Sequence, residues 1–419
     1  MTEQRALKKL VRQRMTRTGE SYTTARRHVL AQAARAEAPA LPDGVLYTEF
    51  GTDQHHDASL IRHALGALGG THDEAMIAGL AGGIGFMYFV FEYQNVPPLM
   101  TIVAQHHPEP WVPAALDRLG VPWTEQHSGK PRWDRVRKAL DEGRPVFCTV
   151  DKSRLPWHGM EPGFGQDPYN VVIAGYQGDT LYVDDESAAP HAIATEAFGA
   201  AWSAHKKGRH QMIVPTGPPA GEPDVAGAVA ATTSHLTGPV LGNNFDVNFG
   251  LSGMEKLAAQ LRDTTTKTGW ERRFDRAAPF GRVLRRLHEC LEVEYTAPGA
   301  TRPLYARFLE QAGRPDAAKL FRESGRGWEQ LAALALETVS EAGDYSEICE
   351  ERMRLLMSHE DPRPEQLRAL DRRADELAEK HGHLDEAARR ELFGEMAGIV
   401  ESCAALEREG ARLLADADA

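Results

Sequence analysis

Two places in this chain put chemically capable side chains where backbone geometry would sharpen them. The first is Gln54-His55-His56-Asp57, at the start of a helix predicted over 57–68. Backbone amides at a helix N-terminus favour anions and disfavour an imidazolium. His56 there is expected to be neutral, and so able to take up a proton or bind a metal. The second is Asp184-Asp185-Glu186, at the end of a strand predicted over 180–184. His55, His56 and Asp57 together with those acids would make a His/carboxylate set suited to Fe, Mn or Zn. Neighbouring residues on a helix point apart, so only some of them could share one ion. The bland reading of Asp185-Glu186 is a solvated strand end.

Other candidates carry less. Cys148, Cys290, Cys349 and Cys403 are scattered with no CxxC pair. That pattern points to free thiols in a reducing cytoplasm rather than a disulfide framework or zinc site. Cys148 lies inside an apolar strand and reads as a core thiol, not a nucleophile. Ala81-Gly82-Gly83-Ile84-Gly85 follows a helix, so it lacks the strand–turn–helix context of a dinucleotide fingerprint. Gly82 and Gly83 read as a tight turn that could still line a cleft. His107, before Pro108, is a loop histidine and a candidate substrate contact. His63, seven residues after His56, shares its helix face and is expected to pack. The tryptophans Trp111, Trp123, Trp133 and Trp157 read as core before pocket.

The elements that must position these residues follow from pattern. Helices are predicted over 4–16 and 22–35, the second capped by Ser21 or Thr23. Residues 36–44 look like a linker. Thr71-His72-Asp73-Glu74 has the form of a capping box and opens a helix over 73–80. A buried strand is expected over 86–93, then helices over 111–119 and 132–140. Strands follow over 145–150, 169–175, 180–184 and 210–214, the middle two joined by Gln177-Gly178-Asp179. Helices first and then an antiparallel meander is an α+β order. Residues 215–238, rich in Pro, Gly, Ala and Thr, read as a linker. The rest is helical. Leu392, Met396, Ile399, Cys403, Leu406 and Leu413 keep three- and four-residue spacing, and 328–358 and 364–380 behave similarly.

Composition bounds the rest. At 419 residues, 42% hydrophobic and 26% charged, the chain reads as an ordinary globular protein with two or three domains. No apolar run is long enough for a membrane span, and the basic N-terminus lacks a signal peptide's apolar core. The net charge of −12 argues against nucleic-acid binding by the body. Residues 1–36 carry nine Lys/Arg against Glu3 and Glu20. This basic arm is expected to dock on the acidic body, the alternative being an acidic partner or nucleic acid.

Several blocks resemble the N-terminal domain of the butirosin biosynthesis protein H family. They are His55 to Arg62, Glu74 to Phe86, His107-Pro108, Leu119-Gly120-Val121-Pro122, Gly143-Arg144-Pro145-Val146 and Val171 to Tyr176. Arg302 to Leu309 resembles the helical companion domain of that family, and the arm resembles segments of actinobacterial proteins. The resemblance implies an α+β, papain-like (cysteine-protease-like) domain followed by an all-α domain. The division is then a basic helical arm over 1–38, the papain-like domain over 39–215, a linker over 216–238 and the companion domain over 239–419.

The family's best understood member transfers an acyl group from an acyl carrier protein to an aminoglycoside amine, which needs an activated thiolate. Typical members carry His-Cys at the helix start and a histidine at the strand start. Here His56 and Tyr169 stand at those two positions, with Asp184 or Asp185 at the orienting one. The expected site is therefore His56, Tyr169 and Asp184, with His55, Gly82, Gly83, His107 and Asp185 contacting substrate. The expected function is acyltransferase-like group transfer in specialised metabolism without the usual dyad. A catalytically inactive binding or scaffold homologue is one alternative, and a metal-dependent enzyme using His/Asp ligands is another. No cofactor is required, although a metal near His56 fits the residue types. The expected partners are a small-molecule amine or acyl substrate and an acyl carrier protein. A homo-oligomer is compatible with the sequence. A functional cleft should bring His56, Tyr169 and Asp184 within a few ångströms of one another.

Overall fold

The computed structural model describes residues 3–92, 94, 97–160, 168–339, 344–359, 363–381 and 384–417. In chain order the N-terminal part holds α1 (Glu3–Thr18), α2 (Tyr22–Glu37), α3 (His56–Gly66), α4 (Glu74–Leu80), β1 (Ile84–Phe91), β2 (Leu99–Gln105), α5 (Trp111–Arg118), β3 (Trp123–Gln126), α6 (Trp133–Asp141), β4 (Val146–Asp151), β5 (Pro168–Gln177), β6 (Thr180–Asp184), β7 (His191–Ala194), α7 (Thr195–Ala204) and β8 (Met212–Pro215). The remainder is helical: α8 (Val225–Thr237), α9 (Gly250–Arg262), α10 (Trp270–Arg273), α11 (Ala277–Glu292), α12 (Arg302–Gln311), α13 (Pro315–Val339), α14 (Asp344–Met357), α15 (Arg363–His381) and α16 (Glu386–Ala417). No helix among the described residues is long and apolar enough to cross a membrane.

The chain forms two compact units that interleave in sequence. One comprises residues 1–77, 112–223 and 350–371, and the other residues 78–111, 224–349 and 372–419. The linear boundaries expected from sequence do not describe them. The β1–β2 hairpin sits inside the α/β stretch of sequence, yet it is built into the helical unit. The expected linker over 216–238 contains α8. Asp224 caps that helix by accepting from Gly227 N, and Ala228, Val229, Thr232, His235 and Leu236 are buried. Its prolines all precede the helix, whose interior is Ala-rich. The run expected over 328–358 is divided between α13 and α14.

In the first unit a six-stranded antiparallel sheet runs β3-β8-β4-β5-β6-β7. Alternation along β5 sends Tyr169, Val171 and Ile173 into a core shared with Cys148, Val150, Trp157, Val183 and Trp202. Gly178-Asp179 closes the β5–β6 hairpin as expected. One irregularity matters for function. The register shifts between Ile173 and Gly175, leaving Ala174 as an extra residue on β5. Its carbonyl accepts from Leu46 N at 2.9 Å, and Val45 bridges Gly175. Only glycine fits at 175, because a Cβ there would lie 2.1 Å from Gly44 O.

The basic arm docks within this unit. Ser21 caps α2 through Thr24 N, as the sequence suggests. Arg27 donates to Gln54 O at 2.7 Å, and Arg35 to Phe50 O, Gly51 O and Asp53.

The second unit is organised by a buried ion pair. Arg302 and Glu407 have no exposed surface. The guanidinium grips Glu407 with two 2.9 Å bonds and donates to Ala104 O, Ala300 O and Gly85 O. Glu407 also accepts from Ser324 and Trp328. One pair thus ties β1, β2, α12, α13 and α16. Along α16 the buried stripe is Phe393, Met396, Val400, Cys403, Glu407 and Leu414, close to the expected one but rotated past Ile399, Leu406 and Leu413. Glu407→Gln is expected to lower stability by about 3–5 kcal/mol, because it strands a buried guanidinium. Urea denaturation of the full chain checks this.

Candidate functional site

The site begins with the loop before α3. Its amides are claimed by Glu74, which accepts from Gln54 N at 2.8 Å, His55 N at 2.7 Å and the Ser59 hydroxyl at 3.3 Å. Glu74 is therefore not the partner of Thr71 in a capping box. Asp73 caps α4 instead, accepting from Met76 N at 2.9 Å. With Arg27 on the Gln54 carbonyl, the loop is held from both sides. His55 is buried as the cap of α3, accepting from Ala58 N through Nδ1. His56, the first residue of α3, leaves 19% of its side chain exposed.

His56 meets the start of β5. Its ring stacks on Tyr169 with centroids 4.6 Å apart and planes 14° apart. Its Nε2 lies 2.8 Å from Asn170 O, so Nε2–H donates, while Nδ1 is buried with no hydrogen-bond partner. The Asn170 side chain donates to Asp57 at 3.2 Å. Burial raises the Asp57 carboxyl, although His56 and Asn170 oppose it.

The acid beside this pair is Asp185. It lies 3.8 Å from His56 Nε2 and accepts from Tyr169 OH at 2.6 Å, Trp157 Nε1 at 2.7 Å and His158 Nε2 at 2.8 Å. Asp184 faces the other way, accepting from Tyr47 OH at 3.0 Å and lying 2.9 Å from His63 Nδ1. The bulge explains the exchange. Continuing the Gly175–Tyr182 register unbroken would pair Asp184 with Ile173, on the face of Tyr169. The extra Ala174 pairs Asp184 with Val172 instead, on the α3 face. Asp185 inherits the Tyr169 face.

Lys152 and Glu186 complete the cluster. The ammonium lies 3.1 Å from Glu186 and 4.2 Å from the Tyr169 ring centroid, while Tyr169 OH also donates to Glu186 at 3.1 Å. Burial, then Asp185 and Glu186, holds the Tyr169 hydroxyl well above its ordinary range, so it stays protonated. Burial would raise Asp185, but His158, His56 and Lys152 outweigh it and hold the carboxyl well below the usual value. Glu186 is lowered too: Lys152 is the largest influence overcoming burial. Burial and then Lys152 lower the His158 imidazole below its ordinary value, although Asp185 opposes them.

Gly82, Gly83 and His107 belong to the second unit. A Cβ on Gly82 would come within 2.7 Å of the His106 ring, and one on Gly83 within 2.5 Å of Tyr305, so both are packing glycines. Burial and the neighbouring His106 lower the His107 imidazole. Burial alone pushes the Cys148 thiol far up, consistent with a core thiol. Sequence reasoning missed Lys152, His158 and Asn170; Trp157, read as core, is packed there and also donates to Asp185. Lys152 and His158 sit on short 3-10 turns, Lys152–Arg154 and Pro156–His158, which leave no periodic signal. Val150 pairs with Tyr169, and that register could have pointed to Lys152.

A metal can be tested against this arrangement. His56, Asp185 and Glu186 each offer a ligand atom, all within 4.8 Å of one another. Yet His56 Nε2 is engaged by Asn170 O, Asp185 holds three donors, and Lys152 already neutralises Glu186. As built, all three side chains already hold protein partners.

A helix N-terminus facing the first residues of a central antiparallel strand is the layout expected of a papain-like α+β domain. Residues 55–186, which contain every member of the cluster, match the model of the family described as butirosin biosynthesis protein H, N-terminal. A structure described as a C39-like peptidase from Bacillus anthracis is 15% identical, covering 43% of this chain and 100% of that one at a TM-score of 0.29. Curated proteins yield no significant match.

Two outcomes follow. Tyr169→Phe removes one of three donors to a buried carboxylate and is expected to cost about 1–3 kcal/mol in denaturant unfolding. Asp185 titrates below its ordinary 3.8 when folded. Its stabilising contribution is therefore complete above that value and lost as pH falls below it toward the folded pKa. Asp185→Asn should flatten the acid limb of stability below about pH 4, measured by unfolding across pH.

Proposed function

We propose that residues 55–186 carry the site of a group-transfer enzyme of specialised metabolism that works without a covalent thiol intermediate. The observation that supports this reading is the orientation of His56. Its Nε2–H is fixed on Asn170 O beside the Asp185 carboxylate, and Nδ1, buried without a hydrogen-bond partner, is the atom left to act as the base. That is how a general base is held in one tautomer.

The proposed step is direct aminolysis. An amine nitrogen of a small-molecule acceptor attacks the carbonyl carbon of an activated acyl donor, such as a thioester on a carrier protein. His56 takes the proton from that nitrogen. The donor's thiol leaves with its electron pair and receives the proton from His56. Tyr169, kept protonated, serves as the platform under His56 rather than as a nucleophile. Lys152 and Glu186 border the same cluster and would orient the acceptor.

A second reading, a catalytically inactive binding homologue, is favoured by one observation. The Tyr169 hydroxyl and both Asp185 oxygens are fully engaged with each other and with neighbouring donors. The two readings separate by mutation once a donor–acceptor pair is in hand. His56→Ala is expected to lower kcat by about 100-fold or more, while Cys148→Ser leaves it unchanged. Full activity of His56→Ala would remove the proposed base. Unaltered acceptor binding with no turnover in any variant would favour the binding homologue.

A further inference from the structure

We propose that the second unit carries a self-association surface and that its occupant is a second copy of this chain. Six large apolar side chains are exposed among the described residues: Leu10, Phe91, Leu99, Leu241, Phe245 and Val247. All but Leu10 lie on the β1–β2 hairpin or in the segment that follows α8. Phe91 pairs with Leu99 at the turn end of the β1–β2 hairpin. Phe89 stacks on Phe91 at 5.6 Å and meets Phe245 at 6.2 Å, which joins the hairpin to the turn that follows α8. Phe245 is 58% exposed and Val247 54%.

That turn, a 3-10 helix over Asn244–Asn248, is braced. Asn243 accepts from Phe245 N at 2.8 Å, and Asp246 accepts from Asn243 N, Val240 N and Leu241 N at 2.6–2.9 Å. Backbone hydrogen bonds, first that of Leu241, hold the Asp246 carboxyl below its usual range. Such bracing usually keeps a polar loop in shape. Here it holds two apolar side chains more than half exposed to water, Phe245 meeting only the edge of the hairpin through Phe89.

Area and charge select the occupant. A whole large apolar side chain presents about 150–250 Å². The exposed fractions of these residues then amount to roughly 400 Å² of apolar surface. A standard interface buries about 800 Å² per partner, a little over half of it apolar. The nearby charges Glu92 and Arg273 are paired with each other at 2.8 Å, so the patch asks for no charged complement. A two-fold axis through it supplies the same apolar surface twice, closing the assembly at a dimer. The acidic chain, at −12, would by contrast be repelled from an anionic bilayer.

Sedimentation of the full chain at micromolar concentration tests this. The wild type is expected at twice the mass of one chain. Phe245→Glu and Val247→Asp should each weaken the dimer at least 100-fold while keeping the wild-type circular dichroism, since both side chains are exposed. Leu10→Glu should leave it intact. A monomeric wild type, dimers unmoved by both patch variants, or dissociation by Leu10→Glu overturns the proposal. A monomer that floats with neutral lipid vesicles would assign the patch to lipid, and overturns it equally.

Discussion

One extra residue in β5 decides which chemistry this site has. Ala174 shifts the pairing of β5 with β6, and that shift sends Asp184 to the α3 face and Asp185 to the Tyr169 face. A strand's two faces differ completely in surroundings, so a slip of one residue exchanges partners wholesale. Asp184 joins Tyr47 and His63 as a packed polar triplet. Asp185 receives Tyr169, Trp157 and His158 and comes to lie beside His56. The bulge is itself held by the chain ahead of α3, because Leu46 takes the carbonyl that the bulge frees, and the next residue, Tyr47, seals Asp184.

The two units handle buried charge differently. Arg302 and Glu407 neutralise each other face to face, with every guanidinium hydrogen placed on an oxygen. Asp185 has no such partner. It is satisfied by three neutral-capable donors, with the nearest fixed cation, Lys152, sitting on its neighbour Glu186. The first arrangement is a closed structural tie. The second keeps its charge next to a partly exposed imidazole, where a change in that imidazole's protonation would be felt at once.

The sequence carried much of this and hid a definable part. The Ser21 cap, the Gly178-Asp179 hairpin and the juxtaposition of His56 with Tyr169 were legible, the last through family resemblance. The identity of the acid was not, because a bulge stabilised by Leu46 is a tertiary event with no local pattern. Lys152 and His158 escaped because three-residue turns have no periodicity to read. Glu74 was misassigned because a capping-box spacing is equally compatible with a carboxylate that turns away from its own helix to serve another loop. The helix over Val225–Thr237 was obscured by the Pro and Gly residues at its borders.

The docking of α2 changes what the first residues of this chain are for. By composition they look like a detachable basic tail, the sort of segment removed to obtain a tidier sample of an α/β body. Arg27 and Arg35 instead supply the hydrogens for three carbonyls, those of Phe50, Gly51 and Gln54, in the loop that delivers His56 to β5. Trimming the tail would leave those carbonyls to water and that loop without its outer clamp. A shortened protein could then keep its sheet and lose its site, and be taken for a naturally inert one.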